Sequence, residues 1–433
     1  MTGTECTLPK NICHQNMKRY IFLCIAALLF AASLQAQTIL IDDENEDVAD
    51  TLVLDSVPRE TLSMPWPQAV RVQIDRLLES DMFKTSQVGM MIYDLDADSA
   101  LYCHNERLLL RPASTMKVVT AIAAIDKFGG SYQFKTDLCY TGTVENGVLK
   151  GGVYCVGGFD PKFNGDDLRS FVESLRKMGV DTIRGTIYAD KSMKSSDRYG
   201  EGWCWDDDDN PVLSPLLISR KDVFVDRFVG ELREAGIVVD AFTSSGVKPD
   251  DAYCVARRFH TIDQILMQML KQSDNLYAES MFYQLAAATG NRRATAHDAA
   301  NVIGRLIAKV GLDPSRYSIA DGSGLSLYNY LSAELEVRLL RYAFANNNIY
   351  LHLHPALPEA GNDGTLRRRM SGPFTKGNVY AKTGTVRGVS SLAGYCTAAN
   401  GHRLAFSIIC NGLLHTRNGR NFQDRVCTIL CQP

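Results

Sequence analysis

Two polar side chains three residues apart, Ser114 and Lys117 in Ser114-Thr-Met-Lys117, stand where the apolar run Val118 to Ile125 begins. On a helix that spacing puts both on one face. A serine hydroxyl is a poor nucleophile until a neighbouring base takes its proton, and a neutral lysine can be that base. Lysine is a cation in water, so the site must desolvate it or set positive charge beside it. The apolar run supplies the burial, and the positive end of the helix favours a developing oxyanion. Two further clusters follow: Ser273-Asp274-Asn275 between two helical stretches, and Lys382-Thr383-Gly384-Thr385 inside a strand-like stretch. Alone, each is ordinary: a solvated pair on a helix start, a cap, a piece of strand.

Together the three could carry out acyl transfer. Ser114 attacks a carbonyl and forms an ester, and Lys117 accepts its proton. Ser273 and Lys382 pass a proton to the departing amine, and the Asn275 amide holds the substrate backbone. Backbone N–H groups of Ser114 and Thr385 form the oxyanion hole. Lys382 with the Thr383 and Thr385 hydroxyls suits a substrate carboxylate, while Gly384 lets the ligand approach the strand. If Lys117 must be neutral, acylation falls as acid protonates it.

Positioning these groups needs particular elements. Strand signals run over Val88–Tyr93 and Ala100–Cys103 around a turn. A helix is expected from Pro112 to about Phe128, stopped by Gly129-Gly130. Strands follow over 133–141 and 151–156, an amphipathic helix over Asp166–Met178, another strand over Thr182–Ala189, and an aromatic, acidic loop over Trp203–Asn210. Helical sequence runs from Thr261 to Leu270 and on through Ser273–Ala288. Strands over 379–384, 390–397 and 403–411 close the chain with a helix over about 418–430. The expected fold is α+β, an antiparallel sheet flanked by helices and interrupted by an inserted α/β part. We expect the catalytic domain over 65–130 and 258–433, and the insert over 131–257.

The motif set is that of penicillin-binding proteins and class A β-lactamases. More widely, the chain resembles the class C low-molecular-mass penicillin-binding proteins, the D-alanyl-D-alanine carboxypeptidase/endopeptidase family. The likeness rests on Asn105, Pro112-Ala-Ser-Thr-Met-Lys117, Gly157-Gly-Phe-Asp-Pro161, Ile183-Arg-Gly-Thr-Ile-Tyr-Ala-Asp190, Trp203-Cys-Trp-Asp-Asp207, Asp321-Gly-Ser-Gly-Leu-Ser326 and Gly364-Thr-Leu-Arg367. It implies a transpeptidase-like domain acting on peptidoglycan stem peptides through a Ser114 acyl-enzyme, with β-lactams as inhibitors and no cofactor. Two departures stand out. Ser114 and Ser273 are closer in sequence than is usual for the family, which implies a smaller insert, and Phe159 replaces a family glycine.

Met17-Lys-Arg19, the apolar stretch Tyr20–Leu34 and small Ala36 read as a secretory signal over 1–36, with Met17 as the expected true start; the alternative is an uncleaved anchor. Residues 37–64 read as an acidic linker. Export to the periplasm or cell envelope follows, with no membrane span left after cleavage. Cleavage would take Cys6, Cys13 and Cys24 from the twelve cysteines, leaving an odd set of structural thiols whose pairing is open. The formal charge of −3 gives no reason to expect nucleic acid. Metal is not expected. Asp206–Asp209 reads as a solvated loop, and His352 and His354, alternating as on a short strand, lack nearby Cys or Glu partners. Asp321-Gly-Ser-Gly lacks the G-x-S-x-G spacing of a nucleophile elbow and is expected near the site. Two rival readings are a serine β-lactamase, which lacks here an E-x-x-L-N loop to activate water, and a catalytically silent wall-binding protein, which would have no use for the intact set.

Overall fold

The computed structural model describes residues 64–207 and 210–432. The proposed signal segment and all but the last residue of the linker lie outside these, as do Asp208 and Asp209 of the acidic loop.

A five-stranded antiparallel sheet carries Lys382-Thr383-Gly384-Thr385 on one edge. Its strands are β1 (Gln87–Asp94), β2 (Ser99–His104), β9 (Tyr380–Val386), β10 (Val389–Thr397) and β11 (Arg403–Asn411), in the spatial order β2-β1-β11-β10-β9. The last strand therefore pairs with the first, Gln87 opposite Asn411. β10 and β11 are buried along nearly their whole length, as a sheet covered on both faces must be. Side chains alternate between two cores with the period of two expected of a strand. Met90, Ile92, Leu392 and Phe406 join α1 (Trp66–Leu78) and α10 (Thr416–Cys431) on one face. Met91, Tyr93, Ala393 and Tyr395 face the other core, built on α2 (Met116–Phe128), α6 (Asn275–Ala287), α7 (Ala296–Lys309) and α8 (Ala333–Ala345). Both α2 and α6 are buried all round, the mark of helices at the centre of a domain rather than on its surface.

Between α2 and α6 lies a second, mixed sheet. It comprises β3 (Gln133–Tyr140), β4 (Thr143–Glu145), β5 (Val148–Gly157), β6 (Thr182–Asp190), β7 (Val238–Ser245) and β8 (Tyr253–Thr261), in the order β7-β6-β5-β3-β8 with β4 beside β5. The β5–β6 and β6–β7 pairs are parallel, so their connections run through α3 (Gly165–Lys177) and α4 (Phe224–Glu234), which bury one face. Asn164 opens α3 as its N-cap, with Asp167 completing the reciprocal capping box. Cys139 and Cys254 face each other across β3 and β8 and form a disulfide. The fold is thus α+β with an antiparallel principal sheet, as the sequence suggested.

Two local features refine or correct the sequence reading. The two helical stretches expected on either side of Ser273-Asp274-Asn275 are present: α5 (Ile262–Leu266) passes into a π turn over Met267–Lys271, and α6 starts at Asn275. The Asp274 side chain, accepting the backbone N–H of Leu276 and Tyr277, starts that new helix. His352 and His354 lie not on a strand but on α9 (Asn347–Ala356), where His352 meets Asp263 and His354 packs against the Tyr380 ring.

Candidate active site

Ser114 lies in a single 3-10 turn, Ala113–Thr115, that feeds α2. The turn is held from three sides. The Ser391 hydroxyl and the Thr115 hydroxyl both donate to Pro112 O, at 2.5 and 2.9 Å, and Gly324 packs so closely on Ala113 O that a side chain there would collide with it. Ala113 itself is at φ +48, a conformation that costs a non-glycine residue roughly 1–2 kcal/mol and that the surrounding contacts must sustain.

One turn on, Lys117 is fully buried. Its Nζ reaches Ser114 Oγ at 2.9 Å, Asn275 Oδ1 at 2.7 Å and Ser323 O at 2.8 Å. Three acceptors match the three donors of an ammonium group, and the Ser114 contact also serves with the roles reversed, a hydroxyl donating to a neutral amine. Opposite, Lys382 of β9 is likewise fully buried, with Nζ 2.9 Å from Ser273 Oγ and 2.6 Å from Thr383 O. Burial, and then the charge of Lys117 close by, hold the Lys382 ammonium well below the usual lysine range. Ser273 adopts φ +59 in the break before α6. The sequence-predicted Ser114, Lys117, Ser273, Asn275 and Lys382 are therefore brought into two hydrogen-bonded pairs of motifs.

The remaining predicted residues flank them on β9. Gly384 lies flush against the Ser114 turn: a Cβ there would stand 2.8 Å from Pro112 O and 2.9 Å from Ser114 N. Thr385 is exposed, whereas Thr383 is buried and donates its hydroxyl to Thr365 Oγ1 at 2.7 Å.

Sequence reasoning missed part of the support. Glu279, one turn beyond Asn275 on α6, is buried and accepts the backbone N–H groups of Gly322 and Ser323 at 3.1 and 2.8 Å. It thereby holds the loop whose Ser323 carbonyl meets Lys117. Burial, then the Asp321 carboxylate, push its pKa up to about 8. A charged residue inside an otherwise apolar helix was the available signal. Asp321 organises the same loop, accepting from Gly324 N, Ser326 N, Asn329 Nδ2 and Trp203 Nε1 at 2.6–2.8 Å. The loop is near the site, as expected, and Ser323 is a support within it.

With buried amines on two serines and a glycine-floored strand beside one of them, the cleft has the parts needed for covalent acyl transfer. Comparison with known proteins points the same way. The D-alanyl-D-alanine carboxypeptidase DacB of Haemophilus influenzae is 26% identical over 437 residues, covering 81% of this chain and 91% of that protein. A D-alanyl-D-alanine carboxypeptidase of Actinomadura is 26% identical over 442 residues, covering 79% and 81%. The crystal structure of penicillin binding protein 4 from Haemophilus influenzae superposes with a TM-score of 0.73 at 25% identity, covering 78% of this chain and 93% of that one. Residues 70–221 and 218–432 match the D-Ala-D-Ala carboxypeptidase 3 (S13) family, so that nearly all the described chain is accounted for and the protein belongs to that family.

Proposed function

We propose that this protein is an exported serine D-Ala-D-Ala carboxypeptidase, DD-endopeptidase or both, acting on peptidoglycan stem peptides and acylated by β-lactams. The observation that carries the reading is the joint reach of Lys117 Nζ to Ser114 Oγ and Asn275 Oδ1, with Lys382 Nζ on Ser273 Oγ. Ser114 Oγ attacks the carbonyl of the penultimate residue while its proton moves to Lys117. An ester C–O bond forms and the amide C–N bond breaks as Ser273 and Lys382 deliver a proton to the departing amine. Water then cleaves the ester and regenerates the hydroxyl. The N–H groups of Ser114 and Thr385 hold the oxyanion, and Lys382, Thr383 and Thr385 take the substrate carboxylate, with Gly384 letting the strand lie against the Ser114 turn.

Membership of the S13 family and the names of its relatives support this substrate class. Export through the segment 1–36 fits a wall substrate, and among the described residues no helix is long and apolar enough to cross a membrane. The second sheet we read as an accessory domain over 131–257, inserted in a catalytic domain over 65–130 and 258–433.

The test joins two measurements on the full chain. Fluorescent penicillin should label the wild type and leave Ser114→Ala unlabelled. Linear and cross-linked muropeptides, incubated with the wild type and weighed, should lose a terminal D-Ala or separate at the cross-link. Label that persists on Ser114→Ala would remove Ser114 as nucleophile. Rapid turnover of penicillin would favour a β-lactamase, and no label on the wild type a silent binding protein.

A further inference from the structure

Ile218 and Lys221 exchange both backbone hydrogen bonds at 3.0 Å, enclosing a two-residue turn of Ser219 and Arg220. These two residues have φ of +48 and +68. A turn with both central residues left-handed favours Asn-Gly, since those residues enter that region with least strain. Serine followed by arginine is a poor choice for the backbone, so the reason for Arg220 lies in its side chain. Strain of this kind, where it persists, marks positions held for a task.

The Arg220 Nη1 donates to Asp274 Oδ2 at 2.5 Å; the Arg220 side chain is 44% exposed and that of Asp274 only 7%. Asp274 is the middle residue of the Ser273-Asp274-Asn275 cluster. Its Oδ1 caps α6 through Leu276 N and Tyr277 N, and its Oδ2 also accepts Gln268 Nε2 at 3.1 Å. On one side of it Ser273, itself left-handed, meets Lys382; on the other, Asn275 meets Lys117. A single carboxylate thus fixes the connection between both lysine contacts, and its charged partner comes from the connection between β6 and α4, far from the catalytic motifs in sequence.

We infer that Arg220 is a positioning residue for acylation: its guanidinium locks Asp274 and so keeps Ser273 and Asn275 against their lysines. This rests on the reading of Ser114 as the acylated serine. A charge-assisted bond of this geometry fixes direction as well as distance, and misplacing reacting groups by about 1 Å can cost on the order of 100-fold in rate.

Arg220→Gly separates the two possible reasons for the arginine, because glycine is the residue the turn prefers. An arginine kept only for stability predicts that R220G melts below the wild type yet, once folded, acylates normally. The positioning role predicts for the folded variant a maximal acylation rate by fluorescent penicillin reduced about 10- to 100-fold, with half-saturation little altered. Added guanidinium ion at non-denaturing concentration should restore part of the rate in R220G and none in Ser114→Ala. If R220G melts far below wild type, Arg220→Asn, which also tolerates the left-handed region, gives the same comparison. Acylation of a folded variant within twofold of wild type would overturn the inference while leaving the Ser114 reading intact. Failure of the wild type to acylate would overturn both.

Discussion

Glu336 offers a quantitative check on the packing behind the active site. It lies on α8 with no exposed surface, its Oε2 accepting the Ser407 hydroxyl of β11 at 2.6 Å while Oε1 has no hydrogen-bond partner among the described residues. Burial pushes its pKa from the ordinary 4.5 up to about 7, against the opposing pull of the Ser407 hydroxyl. Below pH 4.5 the carboxyl is protonated whether the chain is folded or not. Between 4.5 and about 7 the unfolded chain has lost the proton that the folded chain keeps, so stability falls as pH rises. Above about 7 the folded carboxyl ionises too, and the full penalty, roughly 3 kcal/mol at ~1.4 kcal/mol per tenfold change in proton affinity, is in force. Glu336→Gln stays neutral throughout and can still accept from Ser407. Whatever its amide costs is the same at every pH, so the informative quantity is the change in the difference between variant and wild type. Urea unfolding at pH 5, 6, 7 and 8 should show that difference moving in favour of the variant by roughly 2–3 kcal/mol. Curves that stay parallel from pH 5 to pH 8 would refute a raised carboxyl at this position.

Two further perturbations follow from contacts around the Ser114 turn. Gly384→Ala should lower the rate of labelling by fluorescent penicillin on the order of 100-fold, the scale of a lost oxyanion donor, because the new Cβ meets Ser391 Oγ, Pro112 O and Ser114 N; near wild-type labelling would show that the strand can retreat without harm. Trp203→Phe deletes the indole donor to the buried Asp321 carboxylate and should cost about 1–3 kcal/mol in urea unfolding, with no change in the midpoint counting against the Asp321 cage.

Legibility in the sequence followed the range of the forces involved. The strand over 403–411 and the amphipathic helix near 166–178 were readable because apolar periodicity is local, and the structure has them at Arg403–Asn411 and Gly165–Lys177. The Ser114, Ser273 and Lys382 motifs were readable because each is a short run of unusual chemistry. The two helical stretches flanking Ser273-Asp274-Asn275 were readable as well, but the π turn over Met267–Lys271 was not, since it leaves the helical composition unchanged. Glu279 stood out only as a charge inside an apolar helix, with nothing to say what it holds, and Arg220 gave no signal at all. A glutamate held by two backbone N–H groups from residues 322 and 323, or an arginine on a two-residue turn, acquires meaning only from partners distant in sequence. The pairing of Cys139 with Cys254 lay equally beyond reach, because it depends on the register of β3 on β8.

The pairing of the first strand with the last carries a consequence for the life of the unfinished chain. Synthesis delivers Ser114, Lys117 and Asn275 early, but β9, with Lys382, and β11, the neighbour β1 requires, arrive last. Until then the β1–β2 hairpin presents a bare row of amide and carbonyl groups, an open invitation to association with other chains. A polypeptide truncated before Tyr380 would keep Ser114 yet lack the strand that brings Lys382 to Ser273, so fluorescent penicillin should leave nascent copies and copies clipped before Tyr380 unlabelled.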